Sequence, residues 1–174
     1  MLFPETVRIS AADRPQIRIP EGHFDECFAV DLTNDRLEGE FLGRKFDVVI
    51  FSEVIEHLMM HPTKVIRFLL RHLTENGVIV LTTPNLFSHN KLCNISQRRS
   101  PLHPYPAAYT RNDAPHFHVR EFSMGDLLEM IDEAGGRPSA FFFSSCWDDN
   151  RTVHTAPAHE LGNLFVVFGV KPSS

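Results

Sequence analysis

At 174 residues the chain fits one domain of ordinary size, and a domain of this length buries roughly 70% of its unfolded surface, so it needs no disulfide or metal to fold. Hydrophobic residues make up 43% and charged residues 22%, which argues against a disordered tail or a coiled coil, and a net charge of −5 argues against general nucleic-acid binding, which wants a basic face. Three scattered cysteines, Cys27, Cys93 and Cys146, fit thiols in a reducing compartment. No stretch reaches the ~18 apolar residues of a membrane helix, and no basic and then apolar leader opens the chain. The expectation is a single cytoplasmic domain over residues 1–174 with no membrane span.

In chain order, Val7 to Ala12 is a short strand candidate ending at Asp13, and Phe28 to Val30 is a second ending at Asp31. Phe46 to Phe51 (FDVVIF) is the strongest strand signal, almost continuously apolar, as expected of a strand covered on both faces. Pro62-Thr63 opens a helix whose Ile66, Leu69, Leu70 and Leu73 form one apolar face, with Lys64, Arg67 and Arg71 off it. Asn76-Gly77 supplies its stop, and Val78 to Leu81 follows as a buried strand. Residues 82–118 read as a long, proline-rich excursion on the substrate side. Ser123 is the expected N-cap of a helix with Asp126 at N3, Phe122 and Leu127 form a staple, and Gly135-Gly136 end it. Ser139 to Trp147 and Leu164 to Val170 close the chain as antiparallel neighbours. The order implies a three-layer α/β sheet, parallel in its middle with an antiparallel edge. Ligands of such sheets sit beyond the carboxyl ends of the strands, where Asp13, Asp31, Glu53 and the Thr82-Thr83-Pro84-Asn85 segment fall.

Three segments carry a resemblance. Phe46 to Leu58 (FDVVIFSEVIEHL) resembles the fourth-strand motif of class I S-adenosylmethionine-dependent methyltransferases. Leu73 to Asn85 (LTENGVIVLTTPN) is similar to that family's strand-five segment, with Asn76 in place of its first glycine. His118 to Ser123 (HVREFS), followed by Leu127-Leu128 and Ala134-Gly135, is similar to its stretch before the last two strands. The family's glycine-rich turn, G-x-G-x-G after the first strand, has no counterpart, since the first glycine here is Gly22. The resemblance therefore implies a Rossmann-like class I methyltransferase sheet, mostly parallel with an antiparallel C-terminal strand pair, and truncated at its N-terminus. Its missing first strand would leave a gap closed by direct pairing, by another chain, or not at all. A homo-oligomer is the partner expectation that follows from such an exposed edge.

The resemblance also implies site roles. Asp13 stands where the family's acid accepts hydrogen bonds from the cofactor ribose; read alone, it is a turn residue before Arg14-Pro15. Asp31 stands near the adenine position, or is an ordinary strand-end carboxylate. Glu53 falls with them in the S-adenosylmethionine-binding set. A helix from Glu53 would put Glu53, Glu56 and His57 on one face. Carboxylates with imidazole suit Mg²⁺, Mn²⁺ or Zn²⁺. This E-x-x-E-H resembles the metal motif of small-RNA 3′-end 2′-O-methyltransferases and ubiquinone-biosynthesis O-methyltransferases, with His118 as fourth ligand and His116 in reserve. Without a metal, Glu53 orders the strand end and His57 packs beside cofactor or substrate. The expected function is methyl transfer from S-adenosylmethionine to a small-molecule, sugar or lipid acceptor at oxygen, with His57 or His118 as base. The alternative is a catalytically inactive methyltransferase-like binding or assembly module.

Overall fold

The computed structural model describes residues 8, 10–13, 22–32, 37, 41, 43–102, 118–144 and 162–172. Strands β1 (Ser10–Asp13) and β2 (Glu26–Ala29) pair in parallel as a small sheet of their own. Strands β3 (Phe46–Ser52), β4 (Leu73–Thr83), β5 (Gly136–Ser144) and β6 (Asn163–Val170) form a second sheet in the order β3-β4-β6-β5. β3 and β4 are parallel, while β6 is antiparallel to both β4 and β5. β6 alone therefore runs against the other three strands of this sheet, as the antiparallel C-terminal pair requires. Of the three outcomes open for the gap of the missing first strand, direct pairing is not the one found among the described residues: β3 ends the larger sheet, and no described pairing joins it to β1.

Helix α1 (Pro62–Arg71) starts at Pro62, whose missing N–H costs nothing in a first turn. Val65, Ile66, Phe68, Leu69 and Leu70 are buried on its inner side, and Lys64, Arg67 and Arg71 are exposed. The helix stops earlier than the Asn76-Gly77 signal suggests. His72 is its C-cap, and β4 begins at once with Leu73 pairing Phe46. Gly77 sits inside β4, where a Cβ would lie 2.7 Å from the Phe46 carbonyl oxygen; its role is close backbone approach at an irregularity in the β3–β4 register.

Helix α2 (His89–Ser96) occupies part of the excursion, and α3 (Met124–Ala134) follows it. The capping box at the start of α3 is present: Ser123 Oγ accepts from the Asp126 N–H, and Asp126 accepts from the Ser123 N–H at 2.8 Å. Gly135 ends α3 with φ 90°, a left-handed conformation that glycine adopts without steric cost. α1 and α3 pack on each other, tied by a hydrogen bond from Arg67 to the Glu133 carbonyl. Both cover one face of the larger sheet, where Phe51, Ile79, Leu81, Leu164, Val166 and Phe168 are buried.

The opposite face departs from the three-layer expectation. Val48 is 55% and Ile50 75% exposed, and Val78, Val80, Phe165 and Val167 on the same face are only half-buried. No described helix covers them. The apolar run of β3 reads as buried on both sides because periodicity reports what a side chain suits and not what lies against it. Ile50→Lys should accordingly cost less than about 1 kcal/mol in urea denaturation, whereas Leu81→Ala should cost about 2–5 kcal/mol. Equal losses would mean that the Ile50 face is covered.

Candidate functional site

The carboxyl ends of β3 and β4 lie side by side because the two strands are parallel, with Ser52 opposite Thr82. Their contact continues past the strand end: the Glu53 N–H donates to the Thr82 carbonyl at 2.9 Å. Thr82 Oγ1 donates to Glu53 Oε1 at 2.9 Å and lies 2.6 Å from Ser52 Oγ. Glu53 itself has φ 53°, a left-handed conformation that costs a non-glycine residue about 1–3 kcal/mol and is held where surrounding contacts dictate it.

That turn changes how the E-x-x-E-H motif is displayed. The helical face expected from Glu53 onward is not formed; a single 3₁₀ turn spans Ile55–His57, and Glu53 stands outside it. The turn directs Glu56 inward. Its side chain is 1% exposed, Oε2 accepts from Thr83 Oγ1 at 2.9 Å, and Oε1 has no hydrogen-bond partner. His57 Nε2 lies 3.7 Å from that Oε1.

His118 arrives from the far end of the excursion. The Glu56 carbonyl accepts from the Val119 N–H at 2.7 Å and the Arg120 N–H at 3.3 Å, which fixes the returning chain against the turn. The imidazoles of His57 and His118 are 5.0 Å apart, edge to face. Glu56, His57 and His118 each offer a ligand atom within 4.8 Å of the others. Glu53, the fourth member expected, is outside this trio and is engaged by Thr82. It nonetheless shares the trio's field. Burial pushes its carboxyl above the ordinary value, the Thr82 hydrogen bond opposes this, Glu56 adds to the rise, and His118 and His57 draw it down.

Of the remaining expected residues, Asp31 follows the end of β2 and is half-buried. Asp13 closes β1, and its side chain lies outside the described set, as does all of His116. Two further residues were not singled out from the sequence. Glu121 Oε1 lies 2.9 Å from His118 Nδ1, and its other oxygen pairs with the ammonium of buried Lys91. The H-x-x-E spacing was a legible signal for the first contact; nothing local connects Lys91 to the second.

The raised Glu53 pKa has a consequence for stability. A carboxyl whose folded pKa exceeds its unfolded value contributes stability below the unfolded value, and that contribution is lost as pH rises through the folded one. Glu53→Gln, which keeps an oxygen for Thr82, should melt higher than the parent at neutral pH. The gain should vanish below the ordinary value of 4.5. Melting curves of the metal-free protein at both pH values read it; a variant less stable at neutral pH would contradict it.

Comparison with known proteins bears on this arrangement. A family model described as a methyltransferase domain matches residues 5–137. Among solved structures, an S-adenosylmethionine-dependent methyltransferase from Clostridium acetobutylicum ATCC 824 is similar with a TM-score of 0.52 at 12% identity, over 84% of this chain and 65% of that one. LepI in complex with S-adenosylmethionine is similar with a TM-score of 0.56 at 12% identity, over 96% of this chain and 37% of that one. A chain in the complex between the Haloferax volcanii Trm112 methyltransferase activator and the putative methyltransferase gives 0.50 at 9% identity, over 86% and 62%. This chain spans less than two thirds of each of these structures. A search of curated proteins found no match. The matched segment runs from before β1 to the start of β5 and contains the whole Glu56–His57–His118 cluster; the chain belongs to the methyltransferase-domain family and has the Rossmann-like fold of class I S-adenosylmethionine-dependent methyltransferases.

Proposed function

We propose that this chain carries methyl transfer from S-adenosylmethionine to an acceptor oxygen, with the chemistry at the carboxyl ends of β3 and β4. The family match over residues 5–137 carries the reaction class. The buried Glu56 carboxylate beside two imidazoles supports the location. In the reaction the acceptor oxygen forms a bond to the methyl carbon as the C–S bond breaks. The C–S electron pair passes to sulfur, leaving S-adenosylhomocysteine. The acceptor proton passes to an imidazole, His57 or His118. The protein contributes proximity, alignment and a positioned base. Asp31 and Glu53, at the ends of β2 and β3, are the described carboxylates proposed to meet the nucleoside side of the cosubstrate, with Asp13 beside them by its place in the sequence. Met59 and Phe87, two residues beyond His57 and Asn85, are exposed, which favours an acceptor with an apolar part.

A divalent ion belongs to the same proposal. One carboxylate oxygen and two imidazole nitrogens form a donor set better suited to Zn²⁺ or Mn²⁺ than to Mg²⁺, and a buried carboxylate oxygen without a hydrogen-bond partner fits a cation. Glu56, His57 and His118 would hold it; Glu53 would join only by leaving Thr82. Bound there, the ion would supply charge that eases loss of the acceptor proton. Self-association through the β3 edge, which has no partner among the described residues, is the proposed assembly, and a monomer independent of concentration in light scattering speaks against it.

The second reading, an inactive binding module, is favoured by one observation: the first glycine of these 174 residues is Gly22, so they supply no glycine-rich turn to the methionine end of the pocket. Titration calorimetry separates the readings. The 174-residue chain should bind S-adenosylhomocysteine weakly, in the high micromolar range, since several missing backbone contacts at ~1 kcal/mol each cost two or more decades. Undetectable binding at millimolar concentration would favour the binding-module reading, and sub-micromolar binding would mean the pocket wall is rebuilt from other residues. For the ion, cobalt(II) absorption should report binding that weakens at least about 10-fold in Glu56→Gln. No cobalt signal from the parent chain would remove the metal from the proposal and leave the imidazoles as bases.

A further inference from the structure

His118 is held from behind. Its Nδ1 lies 2.9 Å from Glu121 Oε1, and the Glu121 side chain is 1% exposed. A carboxylate buried to that degree needs its own compensation. Lys91 supplies it: its ammonium pairs with Glu121 Oε2 and donates to the Asn85 carbonyl at 3.0 Å. Lys91 is buried as well. The pair is thus anchored to the backbone just past β4, and the same backbone carries His118, because Asn85 bridges Phe122 and the Leu86 N–H donates to the Phe122 carbonyl at 2.9 Å.

We propose that Glu121, locked by Lys91, is the positioning residue that sets the tautomer and ring orientation of His118. A neutral imidazole carries one N–H and one lone pair. An ionised carboxylate has no proton to give and the ammonium of Lys91 can only donate, so Glu121 accepts from both neighbours. The His118 N–H is therefore on Nδ1, donated to Glu121 Oε1, and Nε2 carries the lone pair. Nε2 is then the nitrogen that serves the Glu56–His57 cluster, as base toward an acceptor hydroxyl or as ligand. His57 Nε2 lies 3.7 Å from Glu56 Oε1, a carboxylate inside the cluster, whereas Glu121 holds His118 from outside it. His118 is thereby preorganised by a carboxylate that takes no part in the cluster itself. Its use as base or ligand rests on the proposed methyl transfer; its tautomer does not.

The test reads that tautomer. Two-dimensional ¹⁵N–¹H spectra of the imidazole rings are recorded on the full chain without cosubstrate or metal, under mildly alkaline conditions, with His118 assigned by His118→Gln. The parent chain should show His118 protonated on Nδ1 with a pyridine-type Nε2. In Glu121→Gln the amide oxygen must turn to Lys91, because Lys91 only donates. The amide NH₂ then faces Nδ1, and the proton should move to Nε2. A purely structural Glu121 would leave the tautomer where it was while lowering the melting temperature. An Nε2–H tautomer in the parent chain, or an unchanged tautomer in Glu121→Gln, overturns the proposal. If Glu121→Gln does not fold, the parent spectrum alone decides. The expected pair of tautomers without any methyl transfer or cobalt binding would uphold the positioning role while sinking the proposed function.

Discussion

Removing a carboxylate from water costs several kcal/mol unless the protein replaces the lost hydration, and Glu56 is where this chain meets that cost. The carboxylate finds that replacement in two places, and the main chain of the same residue makes a third contact. Thr83 at the end of β4 donates to Oε2. His57, in the same turn, stands near Oε1. The Glu56 carbonyl ties down the chain at Val119 and Arg120. The last contact has the widest reach. With residues 118–122 fixed, Phe122 is buried beside Asn85 and Leu86, and the capping box of α3 begins one residue later. The side chain and the main chain of Glu56 together thus join the strand ends, the returning excursion and the last helix. The site and the start of α3 share one set of hydrogen bonds.

The sheet is asymmetric in a way that matters for this arrangement. One face is packed under α1 and α3, and its residues are almost fully buried. The other exposes Val48 and Ile50 on a strand whose outer edge has no partner among the described residues. β3 leads into Glu53 and Glu56, so the strand that aims the site is paired on one side only among the described residues. Its position is set almost wholly from the β4 side. The Ser52–Thr82–Glu53 hydrogen bonds extend the pairing beyond the last strand residue, and the left-handed Glu53 marks where the chain leaves the sheet plane.

Much of this was legible in the residues, and the limits have physical causes. β3, the apolar stripe of α1, the Ser123–Asp126 cap and the antiparallel closing strands are local patterns, written in spacing and capping chemistry that need no distant partner. The E-x-x-E-H motif brought Glu56, His57 and His118 together as its resemblance implies. The helical spacing expected from Glu53 is not formed, because a left-handed residue and a 3₁₀ turn stand there. Gly77 looked like a helix stop and is a contact point for the Phe46 carbonyl; a glycine marks a need for space or for positive φ without saying which. Glu121 and Lys91 escaped notice because their pairing is between distant parts of the chain. Periodicity contains no information about which buried lysine meets which buried glutamate.

The charges of the site can be followed through the proposed reaction. Glu121 and Lys91 offset one another, which leaves Glu53 and Glu56 as the carboxylates facing the cluster. Two such carboxylates would favour a nearby sulfonium, but favouring a charge that disappears in the transition state strengthens binding more than it speeds the step. The positive charge does not leave the site, however. As the sulfonium is discharged, the acceptor proton arrives on an imidazole, and the charge moves from sulfur to a ring beside the same carboxylates. On His57 it would stand 3.7 Å from Glu56 Oε1. On His118 it would rest on a ring whose Nδ1 already meets Glu121 at 2.9 Å, the arrangement by which a buried carboxylate steadies an imidazolium without taking its proton. Carboxylates fixed before the reaction can therefore serve both ends of it, holding the cation of the reactant and the cation that replaces it, with no reorganisation in between.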